Sequence, residues 1–355
     1  MNISTDFTQV SPDTGKPESG YEWWYFDGMS ADGKYGFSVI FYQNNPFSTR
    51  KIKELENGSI NHKSYPAVSI SLYENNKTIY YSFLEFEESD YEWREGELML
   101  TIGRDSFSYS ISGDTVNIEI MLNQQLASGH KIRGTISGSG CLTASNLIQS
   151  MDEDRHLWNL ILPSMNLEAD IDLYGRRGEE RVHFHGKGYH DHNTGFEPMK
   201  ESFKDWYWGR YHFEDFTLVY YLMQKHDASQ FEGWLIDKKN QSVLEHLTEI
   251  NLDYYTRNWF GLNSARKIEI IEDQVTVNIQ YSNKIDDGPF YQRFIGNSII
   301  NYNGQVHAAQ GISEYLRPKR IYKKSFWPLV HMRLRYVGEK PHWVQKSALM
   351  YPWTW

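Results

Sequence analysis

His183-Phe-His-Gly-Lys-Gly-Tyr-His-Asp-His-Asn-Thr-Gly195 concentrates four histidines, a tyrosine, an aspartate and three glycines in thirteen positions. Read as extended chain, its side chains alternate between two faces. Tyr189, Asp191 and Asn193 then point one way and His190 and His192 the other. A carboxyl group among aromatic rings, beside glycines that permit a change of direction, is a place for acid chemistry. Ten residues on, Asp205-Trp-Tyr-Trp-Gly-Arg210 is among the densest aromatic clusters of the chain.

Working outward from this stretch, the chain reads as strands. Glu22-Trp-Trp-Tyr-Phe-Asp-Gly28, an Asp32-Gly33 turn and Tyr35-Gly-Phe-Ser-Val-Ile-Phe-Tyr42 make a hairpin. Residues 43–64, rich in Asn, Ser and Lys, read as a long loop. Alternating segments follow at 67–72, 78–84, 97–102, 106–111, 116–122 and 131–136, separated by short polar turns. Helical periodicity is nearly absent, with one candidate at 143–151. After residue 200 the pattern restarts: Asp205 lies 183 residues after Glu22, and each opens a Trp-rich strand, a short turn and an aromatic strand. Such spacing predicts an all-β chain of two antiparallel barrels, residues 1–200 and 201–355. The last forty residues, with Trp327, Trp343, Trp353 and Trp355, are too aromatic for a free tail and are expected to pack back onto a barrel.

Composition narrows the function. The chain has 355 residues, 15% of them aromatic, including 12 Trp and 25 Tyr. Flat rings suit both a pleated core and an apolar ligand site. A net charge of −10 argues against nucleic acid, which needs clustered Lys and Arg. The single cysteine, Cys141, excludes an intrachain disulfide and a Cys-based zinc site. The N-terminus shows no signal peptide, and no apolar run reaches the ~18 residues of a membrane span. A cytoplasmic setting is expected, and contact with a membrane surface stays open. No nucleotide-binding or serine-hydrolase motif is present.

Glu22-Trp-Trp-Tyr-Phe-Asp-Gly28, Gly186-Lys-Gly-Tyr-His-Asp-His-Asn-Thr-Gly195 and Trp206-Tyr-Trp-Gly209 together resemble the carotenoid 1,2-hydratase (hydroxyneurosporene synthase) family. Its superfamily of tandem lipocalin-like barrels also holds AttH-like proteins, pericyclases of polyketide pathways and, more remotely, tocopherol cyclases. The resemblance implies two lipocalin-like barrels, a hydrophobic isoprenoid or polyketide-like substrate, no cofactor and no metal. It maps active-site roles onto Tyr189 and Asp191, and onto His156 and Trp158 in Arg155-His-Leu-Trp158. The family's Asn-Trp-Gly reads Asn193-Thr-Gly195 here, and Asn159-Leu-Ile-Leu-Pro-Ser164 is poorer in His and Pro than its family counterpart.

An acid role agrees with elementary chemistry. Protonating an isolated double bond needs a carboxyl group kept neutral by burial, and a hydroxyl such as that of Tyr189 can orient its proton. Aromatic faces then stabilise the carbocation, with Trp23, Trp24, Trp158, Trp206 and Trp208 as candidates. Water capture gives a hydratase, and internal capture gives a cyclase. A pericyclase and a non-catalytic lipid-binding protein are the alternatives. The competing structural reading is that Asp191 bonds its own turn amides. Glu22 and Asn193 are candidate substrate contacts, and closing the barrel base is the alternative role for Glu22. Arg210 could pair with Glu22 or Glu214, or orient a substrate. His183-x-His185 and His190-x-His192 have metal-ligand spacing but opposite parity, which favours ordinary polar histidines.

Overall fold

The structure, a computed structural model, describes residues 1–58, 63–142, 148, 155–175 and 178–355. The helix candidate at 143–151 lies outside them, Ile148 aside. Two compact units emerge: Met1–Pro198 together with Lys324–Trp355, and Met199–Lys323. This departs from the division at residue 200 in one respect: the C-terminal segment returns to the first unit. Its Leu334–Tyr336 strand pairs in parallel with Lys77–Glu85, and Tyr351 enters the first core.

The fold is all-β and lipocalin-like. The first unit is one long sheet in which Tyr21–Ser30 sits between its hairpin partner Tyr35–Asn44 and the distant strand Gly178–Gly195. Beyond Gly178–Gly195 come His156–Gly175, Lys131–Cys141, Thr115–Gln125 and Asp105–Ser112 in antiparallel order. The second unit repeats the scheme: Phe203–His212 lies between Phe216–Lys225 and Gln305–Leu316. The expected hairpins form, that of Ala67–Glu74 and Lys77–Glu85 turning through Asn75 and Asn76 at φ 49° and 62°. Asn tolerates the left-handed region such two-residue turns require.

Residues 43–64 are not simply a loop. Thr49–Glu56 is an α-helix, with Ser48 as the cap whose hydroxyl accepts from the Lys51 amide. Ile52 is its buried apolar contact. About two turns of amphipathic pattern in a polar stretch are too short for periodicity to register.

The first core gathers Trp24, Phe26, Phe41, Phe107, Val182 and Phe184. Along Gly178–Gly195 the even-numbered side chains therefore face the core and the odd-numbered ones the opposite face. Among the described residues, no helix is long and apolar enough to cross a membrane.

Candidate active site

Strand pairing assembles the site. Tyr189 stands opposite Asp27, Asp191 opposite Tyr25, and Asn193 opposite Trp23. On the other side, Trp158 is opposite Asn193 and Leu160 opposite Asp191. All of these project from the face turned away from the first core, as do Tyr21 and His156. The His156–Gly175 strand shifts register at Leu160/Leu162 and again at Leu162/Met165. Two irregularities bend the ladder directly beside Asp191, a common device near active sites.

The Asp191 carboxyl is buried and receives three donors. Tyr189 Oη donates to Oδ2 at 2.7 Å, Trp158 Nε1 to the same oxygen at 2.8 Å, and Asn193 Nδ2 to Oδ1 at 2.6 Å. Tyr189, Asp191, Asn193 and Trp158 thus form one network. His156 lies at its edge, its Nδ1 2.7 Å from Tyr21 Oη, and Tyr21 stacks on Trp23 at 4.8 Å. Glu197 approaches His156 Nε2 at 3.7 Å.

Two residues that the sequence reading did not select belong to the same face. Tyr25 Oη donates to Asp27 Oδ2 at 2.9 Å, both buried, and the Tyr25 and Tyr189 rings meet edge to face at 6.2 Å. The signal was available: Tyr25-Phe-Asp27 repeats the Tyr-x-Asp pattern of Tyr189-His-Asp191.

Other candidates stand elsewhere. Trp24 and Glu22 are on the core side: Trp24 stacks on His192 at 4.6 Å and donates to the Val10 carbonyl. Glu22 pairs with Lys16 and with His192 Nε2. Burial raises its pKa, but the hydrogen bond and charge of His192 and the charge of Lys16 overcome this and leave it lowered. Asp13 and Gln9 tie the N-terminal segment to this pair. Glu22 is thus part of an ion cluster beneath the N-terminal segment. Trp206, Trp208 and Arg210 lie in the second unit on Phe203–His212, all buried, on the face opposite Tyr207 and Tyr211 of that unit's core.

The histidine pairs separate as their parity requires. His190 lies in the core between Phe26 and Tyr109, donating from Nδ1 to the Tyr25 carbonyl and accepting the Tyr109 hydroxyl at Nε2. Burial pushes its pKa down to about 3, so it is a neutral structural imidazole. His183 and His185 are exposed, with Glu168 on the adjoining strand, their potential ligand atoms within 4.8 Å of one another. Cavities of about 430 and 750 Å³ elsewhere in the first unit are lined by none of the predicted site residues.

The model of the carotenoid hydratase CrtC matches residues 62–343. The chain belongs to the carotenoid hydratase family. A relative described as hydroxyneurosporene dehydrogenase, from Chlorobaculum tepidum, is 26% identical over 90% of this chain and 88% of its own. An acyclic carotenoid 1,2-hydratase of Rubrivivax gelatinosus is 26% identical over 64% of this chain and 54% of its own. Among solved structures, CghA with Sch210972 superposes with a TM-score of 0.63 at 11% identity, covering 84% of this chain and 89% of that one, which shows the shared fold. Membership carries a hydratase-type activity, that of a hydro-lyase.

Proposed function

We propose that this carotenoid hydratase family member adds water across an isolated double bond of a hydrophobic, acyclic isoprenoid, with Asp191 as the proton donor. The observation that supports it most directly is the buried Asp191 carboxyl held by Tyr189, Trp158 and Asn193. Burial favours the neutral acid while the three donors favour the carboxylate. Asn193 holds Oδ1 while Tyr189 and Trp158 hold Oδ2, so the carboxyl is fixed in orientation for proton transfer. Protonation of the alkene leaves a tertiary cation, for which the rings of Tyr25, Trp23 and Trp158 on the same face offer electron-rich surfaces. Water then captures the cation and gives a tertiary alcohol.

The test is incubation with an acyclic carotenoid, dispersed in detergent, in ¹⁸O-labelled water. One labelled oxygen per product is expected. Asp191→Asn should lower turnover by ~10²–10⁴-fold, the range of general acid catalysis, while substrate still quenches tryptophan fluorescence as in the parent. Absence of label from acyclic carotenoids and shorter isoprenoids alike, or an Asp191→Asn protein of full activity, overturns the reading.

A further inference from the structure

Hydration needs two proton transfers. An acid must protonate carbon, and a base must take a proton from the incoming water. The site as read so far names only the first group; the Asp191 carboxylate left after protonation is the default base, and a second carboxyl would serve in its place. Opposite the Tyr189–Asp191 pair, on the neighbouring strand and the same face, lies a second buried tyrosine–aspartate pair, Tyr25 and Asp27. The register crosses them: each aspartate is opposite the other pair's tyrosine. In both, the tyrosine donates to the aspartate two residues on, at 2.9 Å and 2.7 Å.

We propose that Asp27 is the catalytic base of the hydration and that Tyr25 orients it. This rests on the hydratase reading above and adds its missing half. Diagonal neighbours on antiparallel strands lie about 7–8 Å apart. Carboxyl groups borne on residues so spaced can hold one water between them, the arrangement by which inverting glycosidases keep theirs about 6.5–9.5 Å apart. The reaction needs one carboxyl of the two to carry a proton and the other to be free to take one, and the two tyrosine–aspartate pairs on one buried face supply both groups. The Asp191 proton moves to one alkene carbon while the π electrons form that C–H bond. The water oxygen bonds the cationic carbon, and its departing proton goes to Asp27. Alkene and water become the tertiary alcohol, and a proton passing from Asp27 back to Asp191 through water restores the start. Tyr25 is a positioning residue: its hydroxyl holds Asp27 Oδ2 and its ring packs against Tyr189.

The experiment compares full-length parent, Asp27→Asn, Asp27→Ala, Tyr25→Phe and Asp191→Asn on the same isoprenoid alkene, with kcat, KM, melting temperature and a pH profile for each. Asp27→Asn is expected to lose ~10²–10³-fold in kcat with little change in KM or melting temperature. Formate added to Asp27→Ala should restore part of the rate, as a small base entering the vacated space. Tyr25→Phe should keep the fold, lose ~10-fold in kcat and shift the acidic limb of the profile. If Asp191→Asn is dead while Asp27→Asn stays within about threefold of the parent, or if Asp27→Ala is inert to formate while melting far lower, the base assignment falls and the hydratase reading stands. A parent that hydrates no alkene overturns both.

Discussion

Glu22 lies on the core side of its strand, in an ion cluster rather than in the Asp191 network. Its carboxylate is fully buried and faces the Lys16 ammonium and His192 Nε2, with the Asp13 amide as a further donor. Removing one member of a buried ionic group leaves the others uncompensated, typically at about 3–5 kcal/mol. Glu22→Gln is therefore expected to lower stability by about that amount while kcat per folded molecule stays near the parent's. Its lowered pKa gives the contribution a sign. The stabilisation is complete above the ordinary value of 4.5 and lost as pH falls through the folded-state value. Denaturant titrations of parent and variant should converge on acidification below about pH 4.5. A constant gap would refute the ionic account.

At the scale of elements, the glycines of the opening stretch act through close approach. A Cβ at Gly186 would lie 1.9 Å from the Met29 carbonyl oxygen, and one at Gly188 2.7 Å from Leu167 Cδ2 and 2.9 Å from the Asp27 carbonyl oxygen. They let Tyr21–Ser30 press against Gly178–Gly195 just where the two tyrosine–aspartate pairs come into register. Gly186→Ala meets backbone, which has little freedom to yield, and should cost about 1–3 kcal/mol. A lower urea midpoint at unchanged m-value is the expected result. A variant as stable as the parent would mean that the strands part without penalty.

For the whole molecule, the returning C-terminus matters most. Tyr351 is in the first core, Trp355 packs against it, and Gln345 Nε2 donates to the His331 and Leu334 carbonyls. Deleting residues 324–355 uncovers that core and strips Lys77–Glu85 of its parallel partner. Increased binding of a hydrophobic dye and a markedly lower first unfolding transition are expected. Equal melting of the two proteins would show the segment to be a mere appendage.

Much of this was readable residue by residue. Period-two alternation is a local property, so the strands, most hairpins and the facing of Tyr189, Asp191 and Asn193 away from His190 and His192 follow from the chain alone. So does the Trp-rich strand that opens each unit. The short helix at Thr49–Glu56 escaped because about two turns carry too little pattern. Pairing between segments far apart in the chain is not written in either one, since backbone hydrogen bonds are the same for any sequence. Only the folded sheet brings Tyr25 and Asp27 opposite Tyr189 and Asp191, turns Glu22 and Trp24 toward the core, and returns the C-terminal segment to the first unit.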